Sequence, residues 1–326
     1  MRFVLNKVGL LVLTLWAAIT LNFLLPRLMP GSPADAALAK LAQNGPVSPA
    51  TKAAVEAQLG VPTGSMWEQY VHYLGTVVRF DFGVSYTFFP QSVSSLVAAA
   101  LPWTLLLVGF VTIVAFIFGT LLGVLAAWKR GTWLDTLPTV GGTFASAFPY
   151  FWTALLLVFF LGYVAGWFPT SGAYSTEAAP EASVGFVLDA LYHAILPATT
   201  ILITSLGGWI LGMRSTMINT LGDDYVTFAE ANGLRPRTVA LRYAARNAIL
   251  PNLTSFGLAL GGVVGGSLLV ERVFSYPGVG YLLYTAVTNQ DYPLMQALFL
   301  IITISVLLAN FIVDILYGIL DPRTRR

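Results

Sequence analysis

Residues 214–251 read RSTMINTLGDDYVTFAEANGLRPRTVALRYAARNAILP, a polar and basic island set between two long apolar runs. Asp223, Asp224 and Tyr225 lead into Val226, Phe228, Ala229 and Ala231, which puts acids in a first helical turn, where the helix dipole favours them. Gly233 then ends the pattern as a glycine past a helix terminus does, and Pro236 follows. The spacing predicts a short helix outside the membrane. A second helix is expected from near Pro236, carrying Arg237, Arg242 and Arg246 towards Leu250-Pro251. Taken by charge alone, the island also reads as an ordinary loop whose arginines set orientation, because basic loops collect on the cytoplasmic side.

Composition sets the surroundings of this island. The chain of 326 residues is 56% hydrophobic and only 10% charged, against about 25% charged in globular domains, so it is an all-α integral membrane protein in expectation. A net charge of +2 gives no case for a nucleic-acid partner. The absence of cysteine excludes a disulfide framework, a thiolate metal site and cysteine catalysis. His72 and His193 are the only imidazoles, neither at ligand spacing from a carboxylate pair, so both read as structural and no metal, cofactor or catalytic residue is assigned.

Six membrane spans are expected, at about 8–25, 101–127, 134–164, 197–213, 253–270 and 294–320. The first is longer than the apolar region of a signal peptide and reads as a retained helix, although Ala34-Asp35-Ala36 imitates a cleavage site. Pro138, Gly141, Gly142 and Pro149 predict a kink in the third span. Gly119 and Gly123 permit close helix approach. Gly257, Gly261 and Gly265 form the densest small-residue face, either pressed against a neighbouring helix or lying beside a pathway. The chain divides into a first helix and its exit (1–33), a mixed-polarity extracytoplasmic region (34–97) and a five-helix core (98–326). The stretch from Trp167 to His193 has no Lys or Arg but holds Glu177, Glu181 and Asp189, so it is expected outside. With both termini cytoplasmic, 12 of the 17 Lys and Arg lie inside, and most of the rest fall in one long loop that the positive-inside rule weighs little.

Several chemistries find no support. The phosphate-loop pattern G-x-x-x-x-G-K-[ST] does not occur, and Asp81-Phe82-Gly83 stands without any other kinase element. Among ionisable residues only Asp314 falls well inside an expected span, near its cytoplasmic end, which is poor ground for an ion-driven carrier. No zinc-protease or intramembrane-protease arrangement is present, and a membrane sensor would need a larger cytoplasmic domain than the island.

The ordered residues of the island resemble the EAA loop of ABC-importer permeases, in the form found in the dipeptide/oligopeptide permease family. Asp224-Tyr225-Val226, Ala229, Ala231 and Gly233-Leu234 match its first part, and Arg242, Ala244, Asn247-Ala248 and Pro251 its second. Pro30-Gly31-Ser32-Pro33, Leu59-Gly60-Val61, Trp67 with Gln69-Tyr70, Asp81 with Gly83 and Ser85, and the run Glu271, Phe274, Pro277-Gly278 and Gly280 continue the likeness, as does the ending through Asn310, Asp314, Tyr317 and Asp321-Pro322-Arg323. Two departures stand out: Glu230 where Arg is common and Asn232 where a basic residue is usual.

The resemblance implies a type I ABC-importer permease in the cytoplasmic membrane of a prokaryote, with six transmembrane helices and no ATPase of its own. Its implied partners are a second homologous permease, two ATPase subunits that hold the ATP and Mg, an extracytoplasmic substrate-binding protein and the lipid bilayer. The coupling residues would be Asp223, Asp224, Tyr225, Ala229, Glu230, Ala231, Gly233 and Leu234. Pathway or gate residues would be Gly257, Gly261, Gly265, Glu271, Pro277 and Gly278, the last three in a segment whose glycine and proline content also makes a plain external turn. The implied cargo is short peptides or oligosaccharides, with nickel import and a non-transport sensor as alternatives.

Overall fold

The computed structural model describes residues 2–28, 64–177 and 183–320. The expectations for residues 30–36, 59–61 and 321–323 and for Glu181 lie outside these residues, and the Asp314 side chain is likewise not described.

The described chain is helical. In order, α1 is Arg2–Leu28, α2 Met66–Arg79, α3 Val93–Thr104, α4 Phe110–Trp128, α5 Trp133–Ser146, α6 Tyr150–Leu157, α7 Val184–Leu221 and α8 Asp224–Ala231. There follow α9 Pro236–Thr238, α10 Arg246–Gly262, α11 Leu268–Val273, α12 Val279–Thr288 and α13 Tyr292–Leu320. Short π-helical stretches join α3 to α4, extend α6 to Val164 and join α9 to α10, so several neighbours act as single rods.

Five rods are long and apolar enough to cross a bilayer: Val8–Leu25, Val93–Trp128, Val184–Leu221, Pro236–Val273 and Tyr292–Val313. Counted as one broken span, the pair Trp133–Ser146 and Tyr150–Val164, bent by 96°, makes a sixth. The break falls at Pro149, as the prolines of this span led one to expect, because proline offers no N–H to the preceding turn and disfavours helix in the residue before it. Pro138, by contrast, sits within α5.

Two spans are longer than their hydropathy implied. Helix α3 starts at Val93, ahead of Leu101, because Ser92 caps it by accepting from the Ser95 amide. Helix α7 starts at Val184, capped by Ser183, and continues past Arg214 to Leu221. At 1.5 Å per residue its 38 residues span about 57 Å, well over the roughly 30 Å hydrocarbon core. Its polar end therefore projects from the lipid. Helix α12 was not anticipated at all: it is apolar but too short to read as a crossing.

Along α4 and α5 large side chains face outward and small ones meet α7. Leu106, Phe110, Phe118, Leu121, Leu137 and Phe144 are exposed, while the α4–α7 and α5–α7 contacts are made through glycine. A Cβ on Gly123 would lie 2.7 Å from the Ile210 carbonyl oxygen, and one on Gly142 would lie 3.1 Å from the Gly207 Cα. Lipid tails are as apolar as leucine, so association in a bilayer comes from such close backbone packing. Helix α1 is held by Phe23 and Asn22: Phe23 packs with Tyr73, Val77 and Leu300, and Asn22 donates to the Tyr73 hydroxyl and to the Gln296 carbonyl.

Candidate functional site

The helix expected in the island is present as α8, standing beyond the end of α7. Asp223 opens it in extended backbone and Asp224 occupies its first turn. Gly233, at φ +74°, closes it, with its amide donating to the Glu230 carbonyl at 2.9 Å and the Leu234 amide to the Ala229 carbonyl at 3.4 Å. That left-handed turn is what glycine supplies without a Cβ clash.

One side of α8 is anchored. Val226 and Ala229 are buried against Val239, with Leu221 alongside. The Tyr225 hydroxyl accepts from the Asn247 amide at 2.8 Å and reaches the Tyr243 carbonyl at 3.5 Å. The other side is open: Phe228 is 71% exposed, and Glu230, Ala231 and Leu234 are exposed beside it. A phenylalanine kept in water at the tip of a projecting helix is an apolar patch without an internal partner.

The base of this projection is fixed by an ion pair. Arg214 binds Asp135 in bidentate fashion, Nε to Oδ1 at 2.6 Å and Nη2 to Oδ2 at 3.0 Å. The Gly131 amide and the Thr139 hydroxyl fill the remaining positions on the carboxylate. Sequence reading begins the island at Arg214, whereas that residue still belongs to α7 and is paired with α5. Below it, Ala240, Ala244 and Ala248 pack on Met213, Met217 and Ala127, so the arginine-bearing segment lies flat on the ends of α4 and α7 with Arg237, Arg242 and Arg246 exposed.

At the opposite end of α10, Glu271 is completely buried. Its carboxylate accepts from the Thr104 hydroxyl at 3.0 Å, from the Tyr281 amide at 3.1 Å and from the Gly280 amide. The last two are orphan N–H groups of the first turn of α12, so the helix N-terminus and the carboxylate satisfy one another. The same Thr104 oxygen accepts from the Val279 amide at 2.7 Å. Gly278 passes so close that a Cβ there would meet both the carboxylate and Thr104. Pro277 and Gly278 thus lie in a packed corner that ties α3, α11 and α12 together, and burial, with the Glu271 charge adding to it, pushes the nearby Tyr276 hydroxyl up to about 12.

The glycine seam of α10 meets α13. A Cβ on Gly257 would strike Val313, one on Gly261 would strike Ala309, and one on Gly265 would lie 3.4 Å from Ile302. The adjoining face of α10 borders a second space: Asn252, Ser255 and Ala259 line a cavity of about 590 Å³ together with Thr112, Ser205 and Trp209. These cavity residues escaped sequence reading. Single hydroxyls and amides in apolar runs carry no periodic signal of their own.

Residues 119–326 match the model of a family described as the binding-protein-dependent transport system inner membrane component. The chain belongs to this family. The permease is 34% identical to the di/tripeptide transport system permease protein DppB of Pseudomonas aeruginosa, over all of this chain and 99% of that protein. It is 36% identical to the oligopeptide transport system permease protein AppB of Bacillus subtilis, over 78% of this chain and 79% of that protein. Its identity to the glutathione transport system permease protein GsiC of Escherichia coli is 31%, again over the whole chain. The permease is accordingly a multi-pass protein of a bacterial inner membrane and a pathway subunit of an ABC importer.

Proposed function

We propose that this permease imports short peptides, driven by ATPase subunits that grip α8. The observation that carries the reading is α8 itself: a helix anchored on one side by Val226 and Ala229 and offering Phe228 and Leu234 to solvent beyond the bundle. A separate chain with an apolar cleft would cover that patch, and its closure on ATP would displace α8 together with the rods to which it is bound. The ATP and Mg belong to that partner.

With both termini cytoplasmic, α8 and the arginines that follow it, Arg235, Arg237, Arg242 and Arg246, would share the cytoplasmic side with Lys129 and Arg130, as the positive-inside bias asks. A second, homologous permease would complete the pathway by facing α4, α7 and α10, and a binding protein would deliver cargo to the end holding Glu271, Pro277 and Gly278. The corner there serves as a fixed hinge point, and the seam of Gly257, Gly261 and Gly265 keeps α10 and α13 moving as one. The peptide class rests on relatives named for dipeptides, tripeptides, oligopeptides and glutathione.

Affinity purification in detergent tests the reading. The wild-type chain should bring down ATPase subunits, and Phe228→Asp should release them while the permease remains in the membrane fraction. Retention of ATPase by Phe228→Asp together with Leu234→Asp would argue against α8 as the grip.

A further inference from the structure

We infer that the cavity between α4, α7 and α10 is where the permease touches cargo, and that Asn252 there hydrogen-bonds the peptide backbone. The inference rests on the peptide-import reading and adds to it the contacting residues and the part of the cargo they recognise.

Asn252 is only 6% exposed, and its amide nitrogen has no hydrogen-bond partner among the described residues. A buried donor left unpaired is costly, so such groups occur where water or a ligand completes them. The place has been cleared for this amide. Gly212 on α7 lies against it, and a Cβ at that position would come within 3.1 Å of the Asn252 side-chain oxygen. One wall is firm, since Trp209 meets Phe116 and Phe256 edge-on while those two rings stack at 4.2 Å, bridging the three helices.

The chemistry around Asn252 is uncharged. None of the lining residues is Asp, Glu, Lys, Arg or His. The hydroxyls of Thr112, Ser205 and Ser255 spend their protons on carbonyls of their own helices, at 2.6, 2.6 and 3.1 Å. Their lone pairs remain as acceptors. A donor amide set among acceptor hydroxyls complements a peptide unit, which offers one carbonyl and one N–H whatever its side chains. A volume of about 590 Å³ lies within the usual size of small-ligand sites. Recognition of the backbone with no fixed charge nearby would let peptides of either sign pass, leaving selection to the binding protein.

The test uses the assembled importer in vesicles with its binding protein and ATP. Asn252→Asp puts a carboxylate into a cavity that has none, and it should lower uptake of an acidic dipeptide relative to a basic one by about ten-fold against the wild-type ratio. Asn252→Ala should reduce uptake of acidic, neutral and basic dipeptides by a common factor. An unchanged acidic-to-basic ratio in Asn252→Asp would overturn the inference. Wild-type vesicles that import no peptide would instead bring down the cargo reading, and this inference with it.

A second measurement holds even if those variants assemble poorly. The chain has no cysteine, so Ser255→Cys carries a single thiol on the cavity wall. Peptide with binding protein and ATP should slow its reaction with a water-soluble maleimide several-fold. A labelling rate indifferent to peptide would again count against the cavity as the contact site.

Discussion

The Tyr225 hydroxyl and the Asn247 side-chain amide meet at 2.8 Å, joining the projecting helix α8 to the root of α10 across 22 residues of sequence. If α8 is the grip, this bond would pass its displacement to a rod that borders the cavity. Tyr225→Phe and Asn247→Ala each delete the bond, worth about 1 kcal/mol. Each should lower the number of peptides imported per ATP hydrolysed. Because both remove one interaction, the double variant should be little worse than either single one. Additive losses would mean that the two residues act separately.

Gly233 sits at φ +74° with no atom within 4 Å of where a Cβ would be. Space is therefore not the constraint; backbone conformation is. Gly233→Val should cost about 1–2 kcal/mol locally, raise proteolysis between α8 and α9 and loosen coupling, whereas Gly233→Asn, which tolerates left-handed backbone, should behave nearly as wild type. Equal damage from both would point to crowding by a partner at this position.

Asp135 is almost fully buried, and Arg214 supplies its countercharge. Arg214→Gln should lower thermal stability in detergent, by about 2 kcal/mol, because it strands a buried carboxylate. Combined with Asp135→Asn, much of that loss should return, since no unpaired charge is left. A double variant as unstable as Arg214→Gln alone would show that the pair is not what is being lost.

Glu271→Gln exchanges one acceptor oxygen for an amide group facing the N–H donors of Gly280 and Tyr281. Donor against donor should cost about 2–3 kcal/mol, visible as a lower melting temperature in detergent. Thr104→Val removes the hydroxyl that both donates to Glu271 and accepts from Val279, and it should be destabilising as well. A Glu271→Gln protein that melts with the wild type would remove Glu271 from its place as the lock of this corner.

Much of this arrangement was legible in sequence because it rests on short-range rules. Apolar runs of sufficient length mark spans, acids followed nine or ten positions later by a glycine mark the limits of α8, and Pro149 marks the break in the third span. Motif residues could be recognised singly but not paired. Ser85 belongs to a motif segment, and only the fold shows its hydroxyl on the carboxylate of Asp291, which also accepts from the Thr87 amide and caps the start of α13. The Arg214 pair is hidden for the same reason: its partner lies 79 residues earlier.

The sequence by itself determined a helical membrane protein, with its crossings, its proline break and its projecting helix, because hydropathy, dipole and backbone preference act within a few residues. Tertiary structure alone decided which side of each helix is used. It turned Gly257, Gly261 and Gly265 onto α13, buried Glu271 on the N-terminus of α12 and left the Asn252 amide nitrogen buried without a partner in the lining of a cavity. A glycine seam fits equally well against a neighbour or a pathway, and a lone asparagine equally well in a core or a site. Such placements depend on close packing between segments far apart in the chain, and no local pattern records that.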